Sequence, residues 1–273
     1  MKNRAIYLYV LVLTTSLFVY GKSACIIVHG TWASKESWYQ PGGDFFESVL
    51  SSSEKYDIDE VVSFTWSGKN NQRDRQSAGI ALSQTIQEYD YVTIIAHSHG
   101  ATVGILASQD LQKNWIACGN KTGYKNKKFY SLGVPVNQYD CFPNMNVIGR
   151  FYNLFSFEDV VQPVFGIFGR TFFLHDRVAN LSVVIDGIEP GHSGTHNQVV
   201  GRDILSIDEG FAKKGREKMD PFSFQNPGKV LFFKDQLPEY QRDYRREELI
   251  ARDKKLMRLL LDAIMRKRKI EKD

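Results

Sequence analysis

Cysteine, proline and net charge are all scarce in this chain. Its three cysteines, Cys25, Cys118 and Cys141, include no C-x-x-C pair, and no histidine spacing suits zinc. A structural zinc site and a disulfide-built scaffold are therefore excluded. Lys and Arg number 35 against 31 Asp and Glu, and the tail carries the excess: residues 239–273 hold 12 basic and 8 acidic side chains, leaving 23 of each before them. A formally neutral body offers no stripe for phosphates, so nucleic acid is not an expected partner. No internal repeat occurs. What is present, 42% hydrophobic and 13% aromatic residues in 273, supports one large α/β domain or two small ones.

Lys2 and Arg4 precede the uncharged run Ala5 to Tyr20, which has no Gly or Pro. These are the n-region and h-region of a secretory signal, and the run barely reaches across a bilayer, so an uncleaved anchor is the alternative. Small residues at −3 and −1 place cleavage after Gly21 or after Ser23. Lys22 stands where a lipoprotein signal has an aliphatic residue, which argues against lipid on Cys25. In an export compartment Cys118 and Cys141, both in loops, are candidates for a disulfide. Asn120-Lys-Thr and Asn180-Leu-Ser match the glycosylation acceptor pattern and are assigned no role.

Short apolar runs then alternate with helical patterns: Ala24 to Val28, then Asp44 to Leu50; Glu60 to Trp66, then Gln72 to Tyr89; Tyr91 to Ala96, then Ala101 to Leu111. Such alternation predicts βα units around a parallel sheet, and runs apolar without alternation suit strands covered on both faces. Further strands are expected at Lys128 to Leu132, Val147 to Phe155 and Leu181 to Ile185, giving about six, with a helix after His196. Val160 to Leu174, rich in Phe and Gly, reads as a loop or cap. Residues 220–238 read as a linker. Residues 239–273 carry an apolar stripe at Leu249, Leu256, Leu260 and Ile264 and predict a basic amphipathic C-terminal helix.

Ala96-His97-Ser98-His99-Gly100 follows a predicted strand and precedes a helix rich in small residues. It resembles the nucleophile elbow of the α/β-hydrolase superfamily, G-x-S-x-G, with Ala for the first Gly. The chemistry needs a sharp strand-to-helix turn that exposes the Ser98 hydroxyl. Val28-His29-Gly30-Thr31 resembles the earlier strand end that supplies an oxyanion donor, which by that resemblance makes the Thr31 and His99 amides the pair. The superfamily's order of serine, acid, histidine then implies Asp159, in a strand-end S-x-x-D-x-V segment, with Glu158 as its rival. It implies His192 as base, in Gly191-His192-Ser193-Gly194 after the last strand, with His196 as competitor. His97 and His175 fall outside the place the resemblance gives the base.

The resemblance implies an α/β-hydrolase fold over 24–219, a mostly parallel central sheet flanked by helices, preceded by the signal 1–23 and followed by the linker and the charged helix. It implies a serine hydrolase, similar to small secreted lipases and esterases, that cleaves carboxylic esters through Ser98, Asp159 and His192 and an acyl-enzyme, with no cofactor and no metal. Phe165, Phe168, Phe172 and Phe173 favour an acyl or lipid ester, or else pack the core. Thioester hydrolysis and a non-catalytic exported binding protein are the alternatives. Secretion or periplasmic export is expected, with the C-terminal helix meeting a membrane surface or a protein.

Overall fold

A computed structural model describes residues 21–118, 127–136, 141–162, 169–173, 175–213 and 228–232. Seven parallel strands form one sheet in the order β2-β1-β3-β4-β5-β6-β7. They are β1 (Ser23–Val28), β2 (Glu60–Phe64), β3 (Tyr91–His97), β4 (Lys127–Leu132), β5 (Arg150–Phe155), β6 (Val178–Ile185) and β7 (Gly228–Phe232). The helices are α1 (Asp44–Ser53), α2 (Gln72–Ile86), α3 (His99–Cys118), α4 (Gln198–Asp203) and α5 (Ser206–Lys213). The first crossover runs outward from β1 to β2, and the second returns past β1 to β3. The order of strand addition thus reverses between β1 and β3, and the crevice at their C-terminal ends is where ligands bind in open α/β sheets.

Alternate residues of the strands serve two layers. Ile26, Val28, Ile94 and Ala96 pack with Ala78, Leu82 and Ile86 of α2 and Val103 and Ala107 of α3. Cys25, Ile27, Ile95 and Leu132 face the other way, onto Phe45, Phe46 and Val49 of α1 and Val199 and Val200 of α4. Ile26 and Ile27 are both fully buried, and each such side chain contributes roughly 2 to 3 kcal/mol. Glycine lets α3 lie close against the sheet: a Cβ at Gly104 would reach 2.5 Å from the Phe129 ring. Far from the crevice, Asp208 of α5 is held by Lys128 (2.9 Å), Arg150 (2.8 Å) and the Tyr152 hydroxyl (2.5 Å) at the starts of β4 and β5.

The α/β class and the parallel sheet flanked by helices are as the sequence implies, with corrections. Residues 228–232 are not linker but β7, which extends the sheet to seven strands by pairing with β6. β5 begins at Arg150 rather than Val147, and α2 ends at Ile86. Phe172 is fully buried and packs edge-on to Phe151, so it belongs to the core, while Phe173 is exposed. Asn180 is buried within β6, where no glycosylating enzyme reaches it. The signal run 1–20, the Cys118 side chain, Asn120, Phe165, Phe168 and the C-terminal helix lie outside the described residues. Among those described, no helix is long and apolar enough to cross a membrane.

Candidate active site

Strand register brings the two sequence motifs together. Val28 pairs with Ala96, so Gly30 and Ser98, each two residues further on, leave the sheet side by side. Ser98 adopts φ 53°, the strained left-handed conformation of a nucleophile elbow. Its N–H donates to Leu132 O at 2.8 Å, and its carbonyl accepts from Ala101 N at 2.9 Å, so the serine is pinned between sheet and helix. Neither neighbouring glycine tolerates a side chain. A Cβ on Gly30 would sit 2.9 Å from Ser98 Cβ, and one on Gly100 would sit 2.3 Å from His29 O.

His29 is fully buried, and its bonds fix its tautomer. Trp66 N donates to His29 Nε2 (3.1 Å), so the proton is on Nδ1, which donates to Gly30 O (2.8 Å). Trp66 Nε1 returns a bond to His29 O at 2.8 Å. Burial depresses the His29 pKa, which suits a neutral ring acting as a brace. That brace shapes the turn bearing Thr31, whose N–H donates to no acceptor among the described residues and whose Oγ1 is buried without a partner. His99 opens α3, so its amide lies at the positive end of a long helix.

Asp159 is fully buried, whereas its rival Glu158 is exposed. Asp159 Oδ2 lies 2.7 Å from His192 Nδ1. Its Oδ1 accepts from Val161 N (2.8 Å) and Gln162 N (3.1 Å). One carboxylate thus both caps the turn at Val161 and Gln162 and holds the imidazole. Gly133, at φ 61°, lies against this contact, its Cβ position being 3.1 Å from Asp159 Oδ2 and 3.2 Å from His192 Nδ1. Ser98, Thr31, His99 and His192 line a cleft of about 260 Å³ together with Trp32 and Asn70. Among the described residues no hydrogen bond joins Ser98 Oγ to the His192 ring. Such contacts are often loose before substrate binds.

His196 also lines the cleft but takes another place. It stacks on Trp38 at 4.2 Å and meets His97 edge-on at 4.5 Å, with no carboxylate partner among the described residues. His97 Nε2 donates to the His192 carbonyl (3.2 Å), which ties the residue before the serine to the loop bearing His192. Burial, then the nearby His196 and His192, push the His97 pKa well below 6.5. Burial brings His99 to about 4, assisted by Arg75 and His192, and burial brings His196 to about 4. His97, His99 and His196 are therefore neutral at pH 7. His175 lies at the start of β6, paired with Asp176 at 2.8 Å. Among the described residues, no cluster of three His, Cys, Asp or Glu side chains is arranged to hold a metal ion.

Support for Asp159 comes from residues that carry no sequence motif. Ser131, Asn153 and Asn180 sit side by side on β4, β5 and β6. Ser131 Oγ donates to Asn153 Oδ1 (3.1 Å), and Asn153 Nδ2 donates to Asn180 Oδ1 (2.9 Å) and to Arg170 O (2.7 Å). Arg170 Nη2 in turn donates to Asp159 O at 2.8 Å. A buried polar ladder across three strands thus steadies the backbone of Asp159. Its sequence signal is only two asparagines inside apolar strands, where an unpartnered amide is costly.

Fold and site together define the class: a parallel α/β sheet flanked by helices, with a serine on the strand-to-helix turn and a carboxylate-imidazole pair beside it. No family model matches the chain, and no curated protein matches it. Among solved structures, it is similar to a protein from Xanthomonas campestris pv. campestris assigned to the alpha/beta superfamily of hydrolases. That likeness has a TM-score of 0.38 and 11% identity, covering 72% of this chain and 99% of the other.

Proposed function

We propose that this chain is a serine hydrolase of carboxylic esters. The carrying observation is the meeting in one cleft of Ser98, on a left-handed turn, with His192, whose Nδ1 faces buried Asp159 at 2.7 Å. In this reading His192 Nε2 takes the Ser98 hydroxyl proton as Oγ attacks the ester carbonyl. Nδ1–H stays bonded to Asp159, which stabilises the imidazolium without accepting the proton. The Thr31 and His99 amides receive the developing oxyanion, each contributing about 3 kcal/mol by precedent. Collapse expels the alcohol with the proton from His192, and water then hydrolyses the acyl-enzyme by the same steps.

The cleft favours a small acyl group over a long lipid chain. Its volume is at the low end for ligand sites, and Trp32, Ala33 and Val161 set apolar surface among its four histidines and two serines, which suits a short acyl chain. Phe172, one of the aromatics expected to hold an acyl chain, is committed to the core. Export through the 1–23 segment is part of the same proposal. A fluorophosphonate probe tests the enzyme reading: labelling mapped to Ser98 and abolished in Ser98→Ala supports it. A folded protein that takes no label supports a non-catalytic binding protein instead.

A further inference from the structure

Helices α2 and α3 lie side by side in register. A Cβ on Gly79 would come 2.8 Å from Leu106 Cβ. Four residues on, Ser83 Oγ donates to Asp110 Oδ2 at 2.5 Å. Equal steps along both helices mean that they run parallel. The same step backwards from Gly79 and Leu106 sets Arg75 against Thr102, in the first turns of α3. Thr102 Oγ1 is 3.4 Å from His99 Nδ1, so Arg75 stands near His99, one residue back from the cleft that its partner Asn70 lines.

Its guanidinium is half-buried and bonded only to neutral oxygens: Nη1 donates to Asn70 Oδ1 (3.0 Å) and Nε to Gln72 Oε1 (3.3 Å). No carboxylate pairs with it among the described residues, and Nη2 has no acceptor there. A cation withdrawn from water without an anion is costly. Asn70, which holds it, lines the cleft with Ser98 and His99. Its charge is felt there too, since after burial Arg75 is the next cause of the depressed His99 pKa. Glu36, in the β1–α1 connection, also lines the cleft, its Oε2 accepting from Trp38 Nε1 at 2.8 Å. That carboxylate repels an anion and directs a charged substrate end toward α2.

Resting on the esterase reading of Ser98, we infer that Arg75, positioned by Asn70, is an anion subsite and that the ester cleaved here carries a carboxylate. The uncommitted Nη2 can donate to a carboxylate oxygen, and the guanidinium charge strengthens that bond. Glutamine at this position keeps hydrogen bonding and loses the charge.

Two matched ester pairs test the subsite: 4-acetoxybenzoate against its methyl ester, and monophenyl adipate against methyl phenyl adipate. The scissile bond is the same within each pair, and each kcat/KM is divided by that ester's own alkaline hydrolysis rate, because a para-carboxylate leaves a less acidic phenol than a para-methyl ester does. The expected kcat/KM of the wild type is about tenfold or more higher on the charged member of at least one pair. Arg75→Gln should bring that ratio near one, and Arg75→Lys should restore part of it. Thermal melting checks that each variant is folded, and if Arg75→Gln is not, a reduced ratio in Arg75→Lys is the supporting result. Equal rates in both pairs, preference for the neutral members, or a charge preference that survives Arg75→Gln would overturn the subsite alone. No turnover of any of the four esters, with no fluorophosphonate label, would overturn the esterase reading and the subsite with it.

Discussion

Asp159 and His192, 33 positions apart, meet at 2.7 Å while the other oxygen of the same carboxylate caps the turn at Val161 and Gln162. The two backbone N–H bonds fix the plane of the carboxylate, and with it the direction from which the imidazole is held. Asp159→Asn keeps the cap through its amide oxygen but offers the imidazole an N–H instead of an acceptor. We expect ester turnover to fall by roughly four orders of magnitude, as in serine proteases, with a small change in melting temperature. A nearly fully active Asp159→Asn would remove Asp159 from the site, and an inactive Glu158→Gln would then name its replacement.

Gly133→Ala should lower both stability and activity. Alanine at φ 61° costs on the order of 1 kcal/mol, and its methyl group would press on the contact between Asp159 and His192. Displacing that pair by a fraction of an ångström should reduce kcat by about 10-fold to 100-fold. An active variant with only a lowered melting temperature would show that the pair tolerates displacement.

Acid should destabilise this protein through its neutral histidines. Burial brings His99 and His196 from 6.5 to about 4 in the folded chain. Between those values the unfolded chain binds more protons, so stability declines as pH falls from about 7 toward 4 and levels off below. His97 adds the same sign over a wider range. His196→Phe keeps a ring on Trp38 and removes one titrating group, so its melting temperature should fall less between pH 7 and 4.5. Parallel wild-type and variant curves would contradict this.

Under the export proposal, we expect cleavage after Gly21, with Lys22 first, rather than after Ser23. Lys22 N lies 2.9 Å from Asp90 Oδ2, its side chain pairs with Glu60 at 2.8 Å, and Ser23 opens β1. Cleavage after Gly21 would place a new α-ammonium against Asp90, whereas cleavage after Ser23 would discard all three contacts. Intact-mass measurement of exported protein should give Lys22 as the first residue. A chain retaining Met1 would instead show an uncleaved anchor.

The elbow was legible because its constraint is local: a strand, a turn and a helix meet within the five residues Ala96 to Gly100. The parallel sheet was legible for the same reason, each strand being a short apolar run. β7 was not, since Gly228–Phe232 is a brief apolar run beside a Pro-bearing segment and joins the sheet only through β6. Asn153 and Asn180 give no such local signal, because their bonds cross strands rather than follow the chain. The resemblance favours His192 over His196, whereas the contacts that distinguish them, Asp159 on one ring and Trp38 on the other, are tertiary.

Kinetics of His192→Ala test the central claim most directly, measured on an activated ester beside Ser98→Ala and His196→Ala. Triad members act as a unit and their losses do not add. The account predicts that His192→Ala and Ser98→Ala each lose roughly four to six orders of magnitude in kcat, while folded His196→Ala retains most of its turnover. An active His192→Ala beside a folded but inactive His196→Ala would contradict it.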